Sequence, residues 1–448
     1  MAQREPNAAM ELLYRETGWT LRQFAQQVNR IGTECGTPTT YSPQTARAWL
    51  KGHVPSEKAR PLIVEALSRK LGRPVGHADA GLPSSTDQGE HAADLVTRLL
   101  ELGEADMHPT RRSMLNAGLY SAALAVPAFR DLLPDGAPRR EEPRSPVRIG
   151  AGDVATVRTT TDRIADLLDE LGGGVARPMA AAFLVNTVGP YLRASATDEV
   201  RQDMLSAASD LVYLTGWMAM YEREHGLGQR YYLKALGLAA EANDKVTYCR
   251  TLRGMSLQAA HLRYGRKALE LADSAAEAAP AAGPRLLAFL RGQQAHAASL
   301  VGDGRQARTR LREAEAALSK ADSRRESVGG YDASAYQFHV SHVLYEGGDL
   351  QGSIKAMQTC LKLQPRQERQ GRIHANGLLA QRQLEFGHLE ESCRTWHAFL
   401  DDYASVTTAR GDEHLVTLRT RIAPYLRNRE ARALDERARD IAAVKRVA

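Results

Sequence analysis

The chain has 448 residues, and its 59 lysines and arginines against 53 aspartates and glutamates give a net charge of +6. This length exceeds what one compact core accommodates, so we predict two or three domains. The mildly basic charge is compatible with a nucleic-acid partner. Four scattered cysteines without a C-x-x-C spacing argue against a disulfide framework or a zinc site.

Two helices are predicted between Thr20 and Gly52. The first begins at a Thr20 cap, ends near Gly32 and carries an apolar stripe at spacings of three and four, formed by Leu21, Phe24, Ala25, Val28 and Ile31. A polar loop leads to Ser42, where a capping hydroxyl followed by Pro43 starts a short second helix. We expect this short helix to bury Ala46, Trp49 and Leu50.

The outward side of the short helix has the chemistry of a DNA-reading surface. Gln44 and Arg47 suit base edges in a major groove, because glutamine bonds adenine and arginine bonds guanine through two atoms each. Backbone phosphates are expected along Lys51, His53, Lys58 and the chain near Pro55 and Ser56. Between Ser42 and Pro74, seven lysines and arginines against two glutamates give a local charge of 7 − 2 = +5. The alternative is a small helical domain with an ordinary solvated face.

The short helix resembles the second helix of the Xre (lambda-repressor-like) helix-turn-helix family, which reads roughly S-x-x-T-[VIA]-x-x-W-x-x-G. The matching positions are Ser42, Thr45, Ala46, Trp49 and Gly52. The resemblance implies that Gln44, Thr45, Arg47 and Lys51 face DNA, and it covers roughly residues 8 to 75. The chain departs from compact members at Asn29 to Tyr41, an insertion that replaces the tight turn. Similar long-turn versions occur in actinobacterial regulators.

Residues 83–150 are predicted to connect two domains. An amphipathic helix is expected from His91 to Leu102, a second helix from Arg111 to Leu133, and a semi-extended linker over the four prolines that follow. The segment around Arg111 and Arg112 resembles a twin-arginine export signal, but it lies behind a complete domain and its apolar run is too short to cross a bilayer. We therefore predict a packed helix and a cytoplasmic protein without membrane contact.

Internal repetition begins after Asp153. Glycines that separate apolar helices recur at spacings of 39, 37, 46 and 39 residues, namely Gly226, Gly265, Gly302, Gly348 and Gly387. Small residues are expected where paired helices touch, at Ala307, Ser353 and Ser392. The pattern resembles tetratricopeptide-type hairpins, with five pairs from Leu211 to Tyr403 and caps at 153–193 and 412–447. A generic helical bundle is the alternative.

A stack of hairpins curves, and first helices tend to line its concave face, where a ligand binds. The predicted lining residues are Tyr213, Trp217, Tyr221, Arg253, Gln258, Arg291, Gln294, His339, His342, Asn376 and Gln381. His339 and His342 have a spacing that permits a metal site, but without a third ligand we favour a polar groove pair. Gly172 to Gly174 is interpreted as a turn, since a phosphate loop would follow a strand.

We therefore predict an all-α protein. A helix-turn-helix domain (1–82) and a connector (83–150) precede an α-solenoid of tetratricopeptide-like hairpins (151–448). Without a catalytic motif, neither an enzyme nor a cofactor is expected. The favoured function is a DNA-binding transcription regulator, expected as a homodimer on double-stranded DNA. Its solenoid would sense a peptide or small molecule, or bind a partner protein, as in the peptide receptors of Gram-positive bacteria that it resembles. The alternative is an interaction scaffold whose helix-turn-helix docks without DNA.

Overall fold

The computed structural model describes residues 6–34, 38–71, 73, 75–82, 95–108, 120–122, 124, 126, 128–132, 147–281, 283–321 and 331–445. Within these ranges the chain is almost entirely helical, which confirms the all-α prediction. A search of the same ranges found no helix with the length and apolar content needed to cross a membrane.

The N-terminal domain has four helices around one core: α1 (Ala8–Thr17), α2 (Leu21–Glu34), α3 (Pro43–Leu50) and α4 (Ala59–Leu71). Its core includes Phe24 from α2 and Trp49 from α3, whose rings meet edge to face with centroids 6.2 Å apart. The predicted Thr20 cap is confirmed, because its hydroxyl accepts a hydrogen bond from the Gln23 amide at 3.3 Å. Apolar side chains from all four helices therefore fix the position of α3.

Helix α2 is longer than the sequence predicted. It continues past Gly32 to Glu34 and so includes the first residues of the inserted segment. Ile31 and Gly32 are buried against the core, and Arg30 pairs with Glu34 one turn later at 3.0 Å. Burial and this ion pair extend the helix where glycine had suggested a stop.

The connector contains α5 (Leu95–Met107), which extends beyond the predicted end at Leu102. The helix predicted from Arg111 to Leu133 is wrong in its described part. Residues 120–122 are not helical, and only a short 3₁₀ turn forms at Phe129–Leu132. The Gln229 side chain explains the difference, because its amide accepts from the Ser121 N–H and donates to the Ser121 carbonyl, both at 2.8 Å. Residues 91–94, 111–119 and 134–146 lie outside the described residues.

The solenoid begins with α6 (Ala151–Leu171) and α7 (Gly173–Phe183), which passes through a π-helical turn into α8 (Gly189–Leu192). Six hairpins follow, formed by α9 and α10 (Asp198–Tyr221, His225–Glu241), α11 and α12 (Lys245–His261, Gly265–Ala278), α13 and α14 (Pro284–Leu300, Gly304–Leu318), α15 and α16 (Ala333–Glu346, Leu350–Leu363), α17 and α18 (Arg369–Glu385, Leu389–Tyr403), and α19 and α20 (Ala409–Ile422, Arg429–Lys445). The prediction of small residues where paired helices touch is confirmed, since Ala307, Ser353 and Ser392 are fully buried.

Two of the five predicted turn glycines do not make the turn. Gly302, Gly348 and Gly387 have positive φ angles between hairpin helices, whereas Gly226 and Gly265 lie inside α10 and α12. The left-handed positions of those two turns are Arg223 (φ 61°) and Arg263 (φ 63°). Gly265 is instead needed for close packing, because a Cβ there would lie 3.1 Å from the Leu300 carbonyl oxygen.

The beginning of the solenoid contacts its end. The Thr407 amide donates to the Leu171 carbonyl at 2.8 Å, and the Gly174 amide donates to the Thr407 carbonyl at 3.1 Å. Nearby, the Ala409 amide donates to the Glu222 carboxylate at 3.2 Å. We call this contact the seam: Leu171–Gly174 and Glu222 against Val406–Arg410. The seam therefore ties the first helices of the solenoid to its last hairpin.

We expect Gly172→Ala to weaken the seam. Gly172 has φ +91°, and a Cβ there would collide with the Thr407 backbone. Gly283 is a matched control, since it also precedes a helix and has φ +98°, but a Cβ there would have no atom within 4 Å. By thermal unfolding, Gly172→Ala should cost about 1–3 kcal/mol more than Gly283→Ala. Equal losses would show that the collision is relieved without cost.

The seam should also respond to pH. Burial raises the pKa of the Glu222 carboxyl from 4.5 to about 7, although the Ala409 hydrogen bond opposes the rise. The folded state therefore loses stability as pH rises from 4.5 to 7 and this group ionises. Glu222→Gln keeps an acceptor for Ala409, so at pH 8 it should stabilise the protein by about 1–2 kcal/mol after allowance for solvent screening.

At pH 5 the gain should be much smaller, because only the ionisation of the unfolded chain between pH 4.5 and pH 5 then contributes to it. Exposed Glu104 provides the control, and Glu104→Gln should leave the unfolding midpoint almost unchanged at both pH values. A gain from Glu222→Gln that is equal at pH 5 and pH 8 would contradict the assignment.

Candidate functional site

Helix α3 presents most of the predicted DNA-facing residues to solvent. Gln44, Arg47, Lys51, His53 and Lys58 are exposed with the whole chain present, while Ala46 and Trp49 are buried on the opposite side. Ser42 and Thr45 are half-buried because the Ser42 hydroxyl caps α3, accepting from the Thr45 amide at 3.2 Å. The outer face of α3 is therefore polar, cationic and accessible.

One side chain anchors the end of the inserted segment before α3. The Asn29 amide donates to the Tyr41 carbonyl at 2.9 Å, and its oxygen accepts from the Tyr41 amide at 2.7 Å and from the Thr39 hydroxyl at 3.0 Å. The Tyr41 ring then meets Trp49 edge to face at 5.0 Å. The approach to α3 is fixed by these bonds despite the longer connection.

The N-terminal domain is joined to the solenoid through Arg69 on α4. Its guanidinium donates to Glu65 at 2.6 Å, to Glu34 at 2.5 Å and to the Tyr120 carbonyl at 3.3 Å. It also lies 5.0 Å from the ring centroid of Tyr264 in the solenoid. These contacts connect α2, α4, the connector and the solenoid, and we call them the junction.

The junction holds residues 120–122 from both sides. Glu65 accepts from the Ala122 amide at 3.1 Å, and Gln229 of α10 holds Ser121 by the two bonds described above. Burial raises the pKa of the Glu65 carboxyl, while its ion pair with Arg69 lowers it. A displacement of this short segment would therefore act on both domains.

A second link comes from α5, which packs on the solenoid. Asp106 of α5 forms a buried ion pair with Arg177 of α7 and accepts from the Tyr231 hydroxyl of α10 at 3.1 Å. A buried carboxylate held by a guanidinium and a phenol fixes the orientation of α5, because loss of either partner leaves a buried charge.

The interior of the superhelix contains an aromatic cavity of about 520 Å³. Its walls include five aromatic side chains together with buried polar groups: Tyr213, Trp217, Tyr221, Phe289 and Phe338, with Arg253, His339 and Gln370. The Arg253 guanidinium lies 4.2 Å from the Phe289 ring centroid and 5.7 Å from that of Trp217, and burial lowers its pKa. Asp162 and Asp166 stand at the rim.

A second cavity of about 330 Å³, the histidine chamber, lies beside the seam. Its polar lining is six histidines, four arginines and two glutamates: His225, His261, His296, His342, His374 and His414, Arg223, Arg263, Arg382 and Arg410, and Glu346 and Glu413. Burial lowers the pKa of each of these histidines, to about 3 for His296 and His414 and to about 4 for His225. All six imidazoles are therefore neutral at pH 7.

The structure divides the predicted groove residues into lining and packing groups. Tyr213, Trp217, Tyr221, Arg253 and His339 line the aromatic cavity, and His342 lines the histidine chamber. The other five contribute to neither wall: Gln258 donates to the His225 carbonyl, Arg291 to Gln294, Gln294 to Asp273 and Gln381 to the Gly377 carbonyl, while Asn376 is buried. Their side chains support helix packing.

Sequence reasoning missed most of the histidine chamber. His261, His296, His374 and His414 each fall on the first helix of a hairpin, so their recurrence in phase with the repeat was the available signal. His339 bonds the Tyr331 hydroxyl at 2.9 Å, and the ring centroid of His342 lies 4.5 Å from that of His296. No group of three or more metal-binding side chains occurs within the described ranges.

Comparison with known proteins gives one match. The sequence profile of a family described as the SP15 N-terminal domain matches residues 10–83. This range coincides closely with the core of the N-terminal domain, which runs from Met10 to Leu82. Neither the curated proteins nor the solved structures include a match.

We expect Arg69→Met to loosen the junction. The substitution leaves the Glu65 carboxylate buried without its cation. The backbone N–H of Ala122, which donates to Glu65, should therefore exchange with solvent about tenfold faster or more. Hydrogen–deuterium exchange of peptides covering 120–122 measures this. Arg73→Met is the control, because Arg73 pairs only with exposed Glu16 of its own domain among the described contacts. Equal exchange in the two variants would show that Arg69 does not hold the segment.

Proposed function

We propose that this protein is a sequence-specific DNA-binding transcription regulator whose solenoid controls the DNA-binding domain. One observation carries the proposal: α3 is a short, capped helix whose Gln44, Arg47 and Lys51 side chains are exposed, while Trp49 fixes it to the core. A helix of this length with amide and guanidinium groups outward fits a major groove and the base edges within it. This agrees with the resemblance of the same residues to the Xre helix-turn-helix.

The surroundings of α3 support DNA over a protein partner. A docking helix would present apolar side chains, whereas the outer face of α3 and the following loop present Lys51 and Lys58. The described part of the chain provides no ion-pair partner for Arg47, Lys51 or Lys58. Free cationic groups beside base-reading groups are the arrangement that phosphate contacts require. Binding to protein alone is therefore the less favoured function.

Control would pass through the junction. A ligand in the solenoid that shifts Tyr264 or the Ser121-to-Gln229 contact changes the partners of Arg69, which is fixed to α2 and α4. A pair of such proteins, reading two half-sites, would convert this shift into altered spacing of two α3 helices. The two interior cavities have volumes of about 520 and 330 Å³, which supports a small molecule over an extended peptide.

The test is selection of bound duplexes from a random library by the full-length protein, followed by titration of the enriched sequence. We expect Gln44→Ala and Arg47→Ala each to weaken specific binding about 10- to 100-fold and to relax sequence preference at single positions. Lys51→Ala and Lys58→Ala should weaken binding to all sequences and each lower the salt slope by about 1.

Exposed Arg421 on α19 gives the control, and Arg421→Ala should leave DNA affinity unchanged. If no sequence is enriched, or if the enriched sequence is bound equally by Gln44→Ala and Arg47→Ala, α3 does not read DNA and the proposal fails.

A further inference from the structure

The histidine chamber has an unusual charge balance. Of its four arginines, Arg263 pairs with Glu346 through both guanidinium nitrogens, and Arg223 lies 3.9 Å from Glu413. These two pairs use both glutamates of the lining and stand at its partly exposed edge. The remaining arginines therefore have no carboxylate of the chamber left to pair with.

Arg410 and Arg382 are the buried arginines of the chamber, and among the described residues neither has an ion pair. Arg410 donates to His261 at 2.8 Å and stacks on Tyr221 at 4.3 Å, and its other terminal nitrogen has no hydrogen-bond partner. Arg382 donates to the Ser341 hydroxyl at 2.5 Å, and its guanidinium lies 4.5 Å from the ring centroid of Tyr345. Neither forms an ion pair with any described carboxylate. A buried guanidinium held by neutral groups is costly unless an anion completes its shell.

The histidines add hydrogen-bonding capacity to this charge. Ring nitrogens without a partner occur on five of the six: His225, His261, His296, His342 and His374. A neutral imidazole can donate one N–H, and an anion close by favours its protonated form, which donates two. Carboxylates act on the two guanidinium groups only from beyond ion-pair distance, Glu413 and Glu222 on Arg410, and Glu346 and Glu385 on Arg382. Two guanidinium groups without an ion pair and a ring of imidazoles around one cavity match a compact ligand with several ionised oxygens.

We propose that the histidine chamber binds a small multivalent oxyanion, a phosphorylated or polycarboxylate metabolite, held chiefly by Arg382 and Arg410. The cavity of about 330 Å³ limits the ligand to a small metabolite. This inference extends the proposed function by naming the chemical class of the signal, but the binding event itself does not require that the protein binds DNA.

Such an anion would act at the seam. Arg410 belongs to α19, and its partners His261 and Tyr221 belong to α11 and α9. An anion bound by Arg382 of α17 and Arg410 would also face His225 and His261 of the first two hairpins, and so would hold the last hairpins against the first ones. In the first hairpin, Gln229 contacts the connector. In the turn of the second hairpin, Tyr264 contacts Arg69. The ligand would therefore stabilise the face on which the junction rests.

The experiment is calorimetric titration of the full-length protein with inorganic pyrophosphate and, separately, with citrate, at matched ionic strength set with sodium chloride. We expect saturable binding of at least one probe. A response to pyrophosphate alone assigns a phosphate ligand, and a response to citrate alone assigns a carboxylate.

The decisive variants are Arg382→Met and Arg410→Met, which keep apolar bulk but remove the cations. Each should weaken binding tenfold or more, while Arg312→Met, an exposed arginine on α14, should bind like the parent. If Arg410→Met fails to fold, Arg382→Met and His342→Phe test the site without touching the seam. Absence of saturable binding by both probes, or equal affinity in Arg382→Met and the parent, overturns the proposal. DNA titration of the same samples separates this result from failure of the DNA-binding proposal.

Discussion

The architecture depends on the contact between the first and last hairpins of the solenoid. A stack of helical hairpins ordinarily meets only its neighbours, and its curvature is then set by many small rotations. Here Thr407 is hydrogen-bonded on both sides by Leu171 and Gly174, so the pitch is fixed by a contact across the superhelix. The interior becomes a set of chambers with walls contributed by distant parts of the chain. Buried histidines and arginines line these chambers, and burial lowers the pKa of each of them.

The junction makes the small domain an extension of the solenoid. Arg69 contacts side chains from two helices of its own domain, a connector carbonyl and a solenoid tyrosine, so the two domains share one hydrogen-bonded network. At residues 120–122 the connector is held both by these polar groups and by Tyr120, which is buried in the core of the solenoid and stacks on Tyr264 with ring centroids 5.7 Å apart. A displacement of this segment would therefore disturb apolar packing as well as hydrogen bonds.

The fold was largely predictable because it depends on local signals. Helical periodicity, the Ser42 cap and the small residues at helix contacts all have meaning within a few residues, and the structure agrees with them. The failures share a different cause. Nothing near Ser121 in the sequence indicates that Gln229, more than a hundred positions later, bonds its backbone and prevents helix formation. Similarly, Gly226 and Gly265 were mistaken for turns because packing and turn formation both favour glycine.

The candidate site divides in the same way. The α3 face could be read from sequence because a single helix contains it, whereas the histidine chamber is assembled from six hairpin helices and the turns between them. Its arginines were overlooked because an isolated arginine in a helix suggests a solvated side chain. Arg382 and Arg410 share one cavity because α17 and α19, the first helices of successive hairpins, pack against each other. Recurrence of histidine in phase with the repeat was the one clue that sequence offered.

Arg223 and Arg263 show where stability and binding are in competition. Both residues adopt a left-handed backbone in turns whose equivalents elsewhere use Gly302, Gly348 or Gly387. A side chain in this conformation stores about 1 kcal/mol or more of strain that glycine would release. Both guanidinium groups border the histidine chamber and meet its two glutamates. Selection for heat resistance alone would therefore favour glycine at these turns, and the two arginines keep a charged entrance to the chamber at the expense of a relaxed backbone.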